Sequence, residues 1–539
     1  MKTRLNYIVR LVVAVVCFGI LATSCGETSR EEILKVYNWG DYIDEDLLEE
    51  FEEWYKEQTG CEVDVIYQTF DINEVMLAKI EKGEADFDVV CPSEYIIERM
   101  MRNNLLQPIV NKEFIADLER TETENYLGYV SPYIRNQFDH IITLEPELNA
   151  NDYSVGYMWG TTGILFNADY VTAEEALSWD LMFDERLEGK ILVKDAFRDV
   201  YSPMLVYAKT LEARKSGILG EKETLPLNDA VAIERGLEGK VPTIEELMFD
   251  SSDESIAHVE EYLKEMKRLV AGWEADFGKE MMTQNKAWIN LMWSGDAVWA
   301  IEEAADVGVS LDYVVPEEGS VVWFDGWVIP KYAKNPRAAR YFINYMCMPE
   351  NAVRNMDATG YVSVVGARET LDAMEMLTPV LAEIESLNAE LAECGDAEEA
   401  AELSAAIEEL EAECDDILDM GAVDLSYFFV NEDGSPLCFV DEDGYEIHAD
   451  SVYIDPIMYP DLSVINRCAM MHDSGDQTDK MLEMWSRVKG DNLSPSMLIF
   501  IIVSFVTVLV WGVWRKVDDY RKKQKMLNSR RAQRKQQRS

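Results

Sequence analysis

Four places in this 539-residue chain set a carboxylate or hydroxyl beside aromatic rings at the end of an apolar run. Trp39, Asp41 and Tyr42 follow Val36-Tyr37-Asn38, and Ser93 and Tyr95 follow Val89-Val90-Cys91-Pro92. Trp293 closes the run from Ile289 to Met292, while Trp323 and Asp325 sit inside Val321 to Gly326. Acids set among Trp and Tyr suit a small organic cation whose ammonium groups are joined by methylenes. Charged ends that resist desolvation need carboxylates, and aromatic faces shed water from the methylenes while attracting the ammonium groups. Taken singly, a Trp or Tyr beside a strand reads as core and a surface Asp as merely solvated. Asp41 and Asp325, fixed next to Trp within motifs, read as anchors.

Other chemistries lack their parts in this sequence. The four histidines, His140, His258, His448 and His472, stand at no metal-ligand spacing, and there is no nucleotide-binding Gly-rich loop, G-x-S-x-G or H-E-x-x-H. The expectation is a binding protein with no catalytic residue, no metal and no cofactor.

The elements that must carry these residues are short apolar runs alternating with helical patterns. Strands are expected at Leu34 to Tyr37, Glu62 to Tyr67 and Phe87 to Cys91, with helices at Asp46 to Lys56 and Asn73 to Lys82 between them. A second set of strands is expected at Gly163 to Phe166, Ile191 to Val193, Ile289 to Trp293 and Val321 to Pro330. This rhythm implies βαβ units in two α/β lobes, and in an open sheet of this kind ligands sit at the carboxyl ends of strands. Trp39, Ser93 and Trp293 all fall there.

Two Glu-rich stretches, Leu211 to Lys264 and Thr370 to Asp450, interrupt the pattern. In the second, Leu377, Val380, Ile384, Leu387 and Leu391, then Leu403, Ile407, Leu410, Cys414 and Ile417, recur at heptad spacing on either side of Gly395-Asp396. That spacing predicts an antiparallel helical hairpin. It sets Cys394 and Cys414 too far apart to bridge. Asn431-Glu432-Asp433-Gly434 and Asp441-Glu442-Asp443-Gly444 read as hairpin turns in preference to calcium loops, because nothing completes an EF-hand spacing. Seven cysteines lie in the body, Cys61, Cys91, Cys347, Cys394, Cys414, Cys438 and Cys468. With no C-x-x-C they form neither a disulfide framework nor a zinc site, and most are expected to be buried as small hydrophobes.

A formal charge of −53 repels phosphate polymers, so nucleic acid is excluded as a partner and small cations are favoured. Basic residues gather at the two ends. Lys2, Arg4 and Arg10 precede an apolar run from Leu11 to Ala22, and Ala22-Thr23-Ser24-Cys25 resembles a lipoprotein cleavage box, so 1–24 reads as a signal peptide with Cys25 as the lipidation site. No charge interrupts Leu493 to Trp514, which is long enough for one membrane-spanning helix, assigned to 495–514. The tail 515–539 carries eleven Lys or Arg against Asp518 and Asp519. By the positive-inside rule it is cytoplasmic and the acidic body faces out.

Together these segments resemble the solute-binding proteins of bacterial spermidine/putrescine ABC importers. The likeness runs from about Leu34 to Arg368 with insertions and resumes near Tyr459-Pro460-Asp461. It rests on Tyr37-Asn38-Trp39-Gly40-Asp41-Tyr42, Pro92-Ser93-Glu94-Tyr95, Trp159-Gly160-Thr161-Thr162, Trp323-Phe324-Asp325 and Gly360-Tyr361. The resemblance implies a two-lobed periplasmic-binding-protein fold with a hinge, here with a helical-hairpin insertion and a C-terminal transmembrane helix. The expected lobes are 32–155 with 325–363, and 156–324 with 364–490, the acidic insertion being 370–450. The resemblance further implies that Asp41, Asp199 and Asp325 take ammonium groups, with Asp195 as the fallback for Asp199. Trp39, Tyr42, Trp293, Trp323 and Tyr361 would form an aromatic box, with Ser93 and Tyr95 adding hydrogen bonds. A polyamine would be the ligand, ABC permease and ATPase subunits the partners, and the ectodomain would be monomeric at the outer face of a membrane. Gly40 stands where a Ser or Thr is common and Met471 where spermidine binders carry a Gln, which favours putrescine or another cation. A membrane-anchored sensor, or the same fold holding a cation such as thiamine, remain the alternatives.

Overall fold

The computed structural model describes residues 29–83, 86–275, 277–431, 433–490 and 515. Residues 1–24 (read as a signal peptide), Cys25, the stretch 495–514 and the rest of the basic tail lie outside these described residues. Among the described residues no helix is long and apolar enough to cross a membrane. The described residues up to Thr478 form one compact unit, and a second unit begins at Asp479, within the helix Thr478–Gly490.

In the first unit the first ten strands along the chain are β1 (Ile33–Trp39), β2 (Asp64–Phe70), β3 (Val89–Val90), β4 (Leu106–Gln107), β5 (Ser154–Asn167), β6 (Ile191–Lys194), β7 (Val270–Glu274), β8 (Ile289–Trp293), β9 (Leu311–Val314) and β10 (Ser320–Pro330). Their order across the sheet is β2-β1-β3-β10-β5-β8-β6-β7. β1 pairs in parallel with β2 and β3, and β6 pairs in parallel with β7 and β8, so each half of the sheet is a βαβ array. The helices expected between the first strands run Asp46–Thr59 and Asn73–Glu81.

The halves meet on β5 and β10, whose residues are all buried. They pair antiparallel from Val322 opposite Thr161 to Val328 opposite Ser154. At Thr162 β5 changes neighbour and pairs with β8, while Val328 of β10 pairs with Val90 of β3. The antiparallel β5–β10 pair therefore connects the two halves, β10 bonding to β3 on one side and β5 to β8 on the other. The register of β10 shifts between Asp325 and Gly326. The extra residue is Tyr157 of β5, which lies between Gly156 and Met158 opposite this step, and a bulge of this kind bends its strand and re-aims side chains.

The hairpin forms as the heptads require, from Leu377–Glu393 and Ala397–Met420, with Asp396 capping the second helix through Glu398 and Glu399. Cys438–Val440 pairs with Glu446–His448, and Asp441 closes the turn between them by accepting from Gly444 and Tyr445. The cysteines depart from expectation: Cys91, Cys347 and Cys468 are buried, Cys394 and Cys414 are half-buried, and Cys61 and Cys438 are exposed. The hairpin and the two-stranded ribbon bury only a few side chains, Ile407, Ile417 and Ile447 among them, and Cys394, Cys414 and Cys438 are not on those faces, while Cys61 sits in the exposed connection after the helix Asp46–Thr59, so only three of the seven behave as core.

Candidate functional site

Asp325 is the centre of the cluster. It is 6% exposed, and both of its oxygens receive hydroxyl hydrogen bonds, from Ser93 to Oδ1 at 2.7 Å and from Tyr42 to Oδ2 at 2.9 Å. Ser93 precedes the helix Glu94–Arg102, yet its hydroxyl does not cap that helix and is spent on Asp325 instead. No basic side chain of a described residue forms an ion pair with Asp325. Burial pushes its carboxyl up to about 7 against the two hydroxyl donors, with Asp199 adding repulsion. Behind it Glu94 is fully buried, accepts from the Phe324 amide at 2.9 Å and is pushed well above the usual carboxylate range by burial.

Aromatic rings surround this acid. Tyr42 meets Tyr361 edge-on at 5.0 Å between ring centroids, and Tyr361 meets Trp323 at 5.6 Å. Two glycines make the room. A Cβ on Gly160 would stand 2.6 Å from Trp323 Cζ2, and one on Gly295 would overlap the Tyr361 ring. On the other side of Asp325, Asn73 donates to the Ser93 hydroxyl at 2.9 Å and to the Tyr95 hydroxyl at 3.0 Å.

The second acid, Asp199, lies in the first turn of the helix Phe197–Lys215, where the helix dipole favours an anion. It is 8% exposed and accepts from Trp293 Nε1 at 2.9 Å. Burial nevertheless raises its carboxyl to about 6, against the Trp293 donation and the attraction of Arg198. Arg198 lies over the Tyr95 ring, 4.9 Å from its centroid, and so ties this helix to the wall beside Asp325. Asp195 is exposed, which leaves Asp199 as the buried acid of that segment.

Tyr42, Ser93, Tyr95, Trp323, Asp325 and Tyr361 are thus brought together, and Asp199 with Trp293 joins them through Arg198. Trp39 and Asp41 stand apart. Trp39 packs on Phe70 at 4.5 Å, and Asp41 is exposed in the left-handed backbone region, φ 50°, with no hydrogen bond or ion pair to a described residue. The tight turn Gly40-Asp41 carries the Asp41 side chain outward as the chain leaves β1.

Sequence reasoning passed over several residues of the site. Glu94 stands inside the motif Pro92-Ser93-Glu94-Tyr95 without being singled out, and Asn73, the start of a helix twenty residues before Ser93, carries no sequence signal of the contact. Lys194, at the end of β6, is 1% exposed and pairs with Asp296 Oδ2 at 2.5 Å and Glu274 Oε1 at 3.6 Å. Its ammonium also lies 4.4 Å from the Trp293 ring centroid. Burial works to raise the Asp296 carboxyl, but Lys194 and Lys279 outweigh it and hold the group below its ordinary range. A lysine closing an apolar strand gives no sign in the sequence of a buried partner a hundred residues on.

As a whole the arrangement can hold a cation with two charged ends: two buried carboxylates, rings between them, and hydroxyls that orient the acids. Among the described residues no group of acids, His and Cys is placed to hold a metal ion.

The family of bacterial extracellular solute-binding proteins matches residues 47–376. The spermidine/putrescine-binding periplasmic protein of Salmonella typhimurium is 26% identical over 368 residues, covering 68% of this chain and 86% of that protein. A putrescine-binding periplasmic protein of Escherichia coli is 27% identical over 371 residues, covering 66% and 85%. Among solved structures, a putative spermidine/putrescine ABC transporter protein from Listeria monocytogenes superposes with a TM-score of 0.53 at 25% identity, over 85% of this chain and 99% of that one. A substrate-binding protein of a spermidine/putrescine ABC transporter from Streptococcus pneumoniae has the same fold, with a TM-score of 0.50 at 24% identity, over 85% and 98%. With the family matched over more than half of its length and the two-lobed fold in place, this chain belongs to the bacterial extracellular solute-binding proteins.

Proposed function

We propose that this protein binds a polyamine, putrescine or spermidine, outside the cytoplasm and delivers it to an ABC importer. The observation that carries the reading is Asp325, a buried carboxylate held by two neutral hydroxyls and lacking any ion-pair partner among the described residues. A buried charge is costly unless paired, and without ligand Asp325 meets that cost through a pKa raised to about 7; an ammonium group would take the place of that proton and pair the ionised form. Relatives named for spermidine and putrescine support the choice of amine. Asp199 with Trp293 would take the second ammonium group, Trp323, Tyr361 and Tyr42 would cover the methylenes, and Ser93 and Tyr95 would orient the acids.

Ligand favours closure only by holding both halves at once, more strongly than it holds either half in the open form. Asp325 lies on the β5–β10 connection, Ser93 belongs to the first half and Asp199 to the second, so one ligand touching all three would draw them together. The closed form would then dock on the permease. Lobes at 32–155 with 325–363 and at 156–324 with 364–490 fit this movement. The apolar stretch 495–514 and the basic tail support an anchor in the membrane, with Cys25 as a second, lipid anchor. Asp41 and Trp39, which stand apart from this cluster, would join the site only if the halves moved on ligand binding.

Calorimetric titration of the purified protein with putrescine, spermidine and thiamine tests the reading. Saturable binding of at least one of the two polyamines, tighter than that of thiamine, is expected. Thiamine binding with both polyamines silent contradicts it.

A further inference from the structure

Behind the aromatic walls lies a buried charge cluster that no ligand contact requires. Lys194 at the end of β6 and Asp296 in the first turn of the helix Ser294–Asp306 are joined at 2.5 Å, with Glu274 at 3.6 Å from Lys194 and Lys279 at 3.3 Å from Asp296. Two lysines and two acids leave it formally neutral, so it offers no net attraction to a cationic ligand. Burying such a pair gains little stability over well-packed apolar residues, although breaking it by removing one partner is costly. Its presence here calls for a role other than stability.

The two ends of the pair touch the two sides of the cleft. Lys194 lies over the Trp293 ring at 4.4 Å, and the Trp293 indole donates to Asp199 at 2.9 Å. Asp296 follows Gly295, on whose backbone the Tyr361 ring packs, and its carboxylate lies against the Tyr361 hydroxyl, whose pKa it helps burial to raise. Tyr361 in turn packs on Tyr42 and Trp323, and Tyr42 donates to Asp325. The line Asp199–Trp293–Lys194–Asp296–Tyr361–Tyr42–Asp325 therefore connects the two acids without passing through the ligand space.

We propose that Lys194 and Asp296 are positioning residues: the ion pair seats the Trp293 indole and the Tyr361 ring, and so fixes the separation of the two acids that receive the ligand. This builds on the assignment of the cleft as the amine site. Because the pair is one rigid strut spanning two secondary-structure elements, its effect reaches ligand only through Trp293 and Tyr361.

The test uses the full-length protein with the variants Lys194→Met, Lys194→Arg, Asp296→Asn and the double variant Lys194→Met/Asp296→Asn. Two quantities are read: putrescine affinity, and the indole N–H resonance of Trp293 in the ligand-free protein, assigned with Trp293→Phe and followed through the titration of Asp199. Lys194→Met and the double variant are expected to shift that resonance and lower affinity about tenfold. Lys194→Arg, which keeps the charge over the ring, should recover most of both. The double variant removes both charges of the pair, so it guards against simple misfolding of the single one. A Trp293 resonance unmoved in folded Lys194→Met, with affinity within about twofold of the parent, overturns the proposal. If the parent binds no polyamine, a shifted resonance still supports the strut and the functional reading alone fails.

Discussion

Ser93 and Asp325, 232 residues apart in the chain, face one another as an isolated antiparallel bridge and share a hydrogen bond of 2.7 Å from Oγ to Oδ1. Close packing of β3, the helix Glu94–Arg102 and β10 makes this encounter possible. It turns a serine at a strand end into the donor that orients a buried acid.

Removing either hydroxyl should therefore weaken binding by a predictable amount. Hydrogen bonds to charged groups are worth about 1.5–3 kcal/mol. Ser93→Ala and Tyr42→Phe are each expected to lower putrescine affinity by about tenfold or more. Both donors hold the Asp325 pKa down, so each variant should also raise it. Titration calorimetry at two pH values reads both effects.

Protons compete with the ligand. Burial raises Asp325 to about 7 and Asp199 to about 6, so in the empty cleft these acids take up protons as the pH falls through that range. An ammonium group binds the ionised form, hence affinity should fall between pH 7 and pH 6, and binding near pH 6 should release protons, which calorimetry in buffers of different ionisation enthalpy detects. Stability of the ligand-free protein should move the other way. Both folded values lie above the unfolded Asp value of about 3.9, so the native state holds more protons in between, and these two groups contribute stability at low pH that is lost as the pH rises through about 6 to 7. Thermal melts of parent and Asp325→Asn across this range check the sign.

Space rather than charge governs Gly295. A Cβ there would overlap the Tyr361 ring, so Gly295→Ala must push the ring aside. Overpacking costs about 1–3 kcal/mol, and the expected result is a lower melting temperature together with weaker amine binding. Gly40→Ser is the contrasting case, because nothing lies within 4 Å of its added Cβ. It should leave stability unchanged.

The hairpin is expected to be indifferent to ligand. Ile417 is 3% exposed within it, so Ile417→Ala should cost about 2 kcal/mol or more of stability. Amine affinity should stay within about twofold. A large loss of affinity in the folded variant would show that the hairpin communicates with the cleft.

Much of this was legible from sequence, and for physical reasons. Strands buried on both faces leave mostly apolar runs, as in Ile289 to Met292 and in Val321 to Pro330 with Asp325 as its single charge, and heptad spacing fixes a hairpin before any contact is known. Site acids flanked by Trp stand out because that pairing has little use in a core. What stayed hidden depended on long-range partners. Lys194 looks like an ordinary polar strand end, and only the fold brings Asp296 to it. Asp41 sits in the most suggestive motif yet faces outward, because the left-handed turn after β1 is set by backbone geometry that the residue types do not reveal. The cysteines misled for a related reason: burial depends on the thickness of the element, which a single residue does not report.

The central claim is that Asp325 is a cation anchor, and side-by-side calorimetric titration of the parent protein and Asp325→Asn with putrescine tests it most directly. The account predicts saturable binding to the parent and a loss of about 3 kcal/mol or more in the variant, with the variant folded and at least as stable near neutral pH. Equal affinity of the two proteins would contradict it.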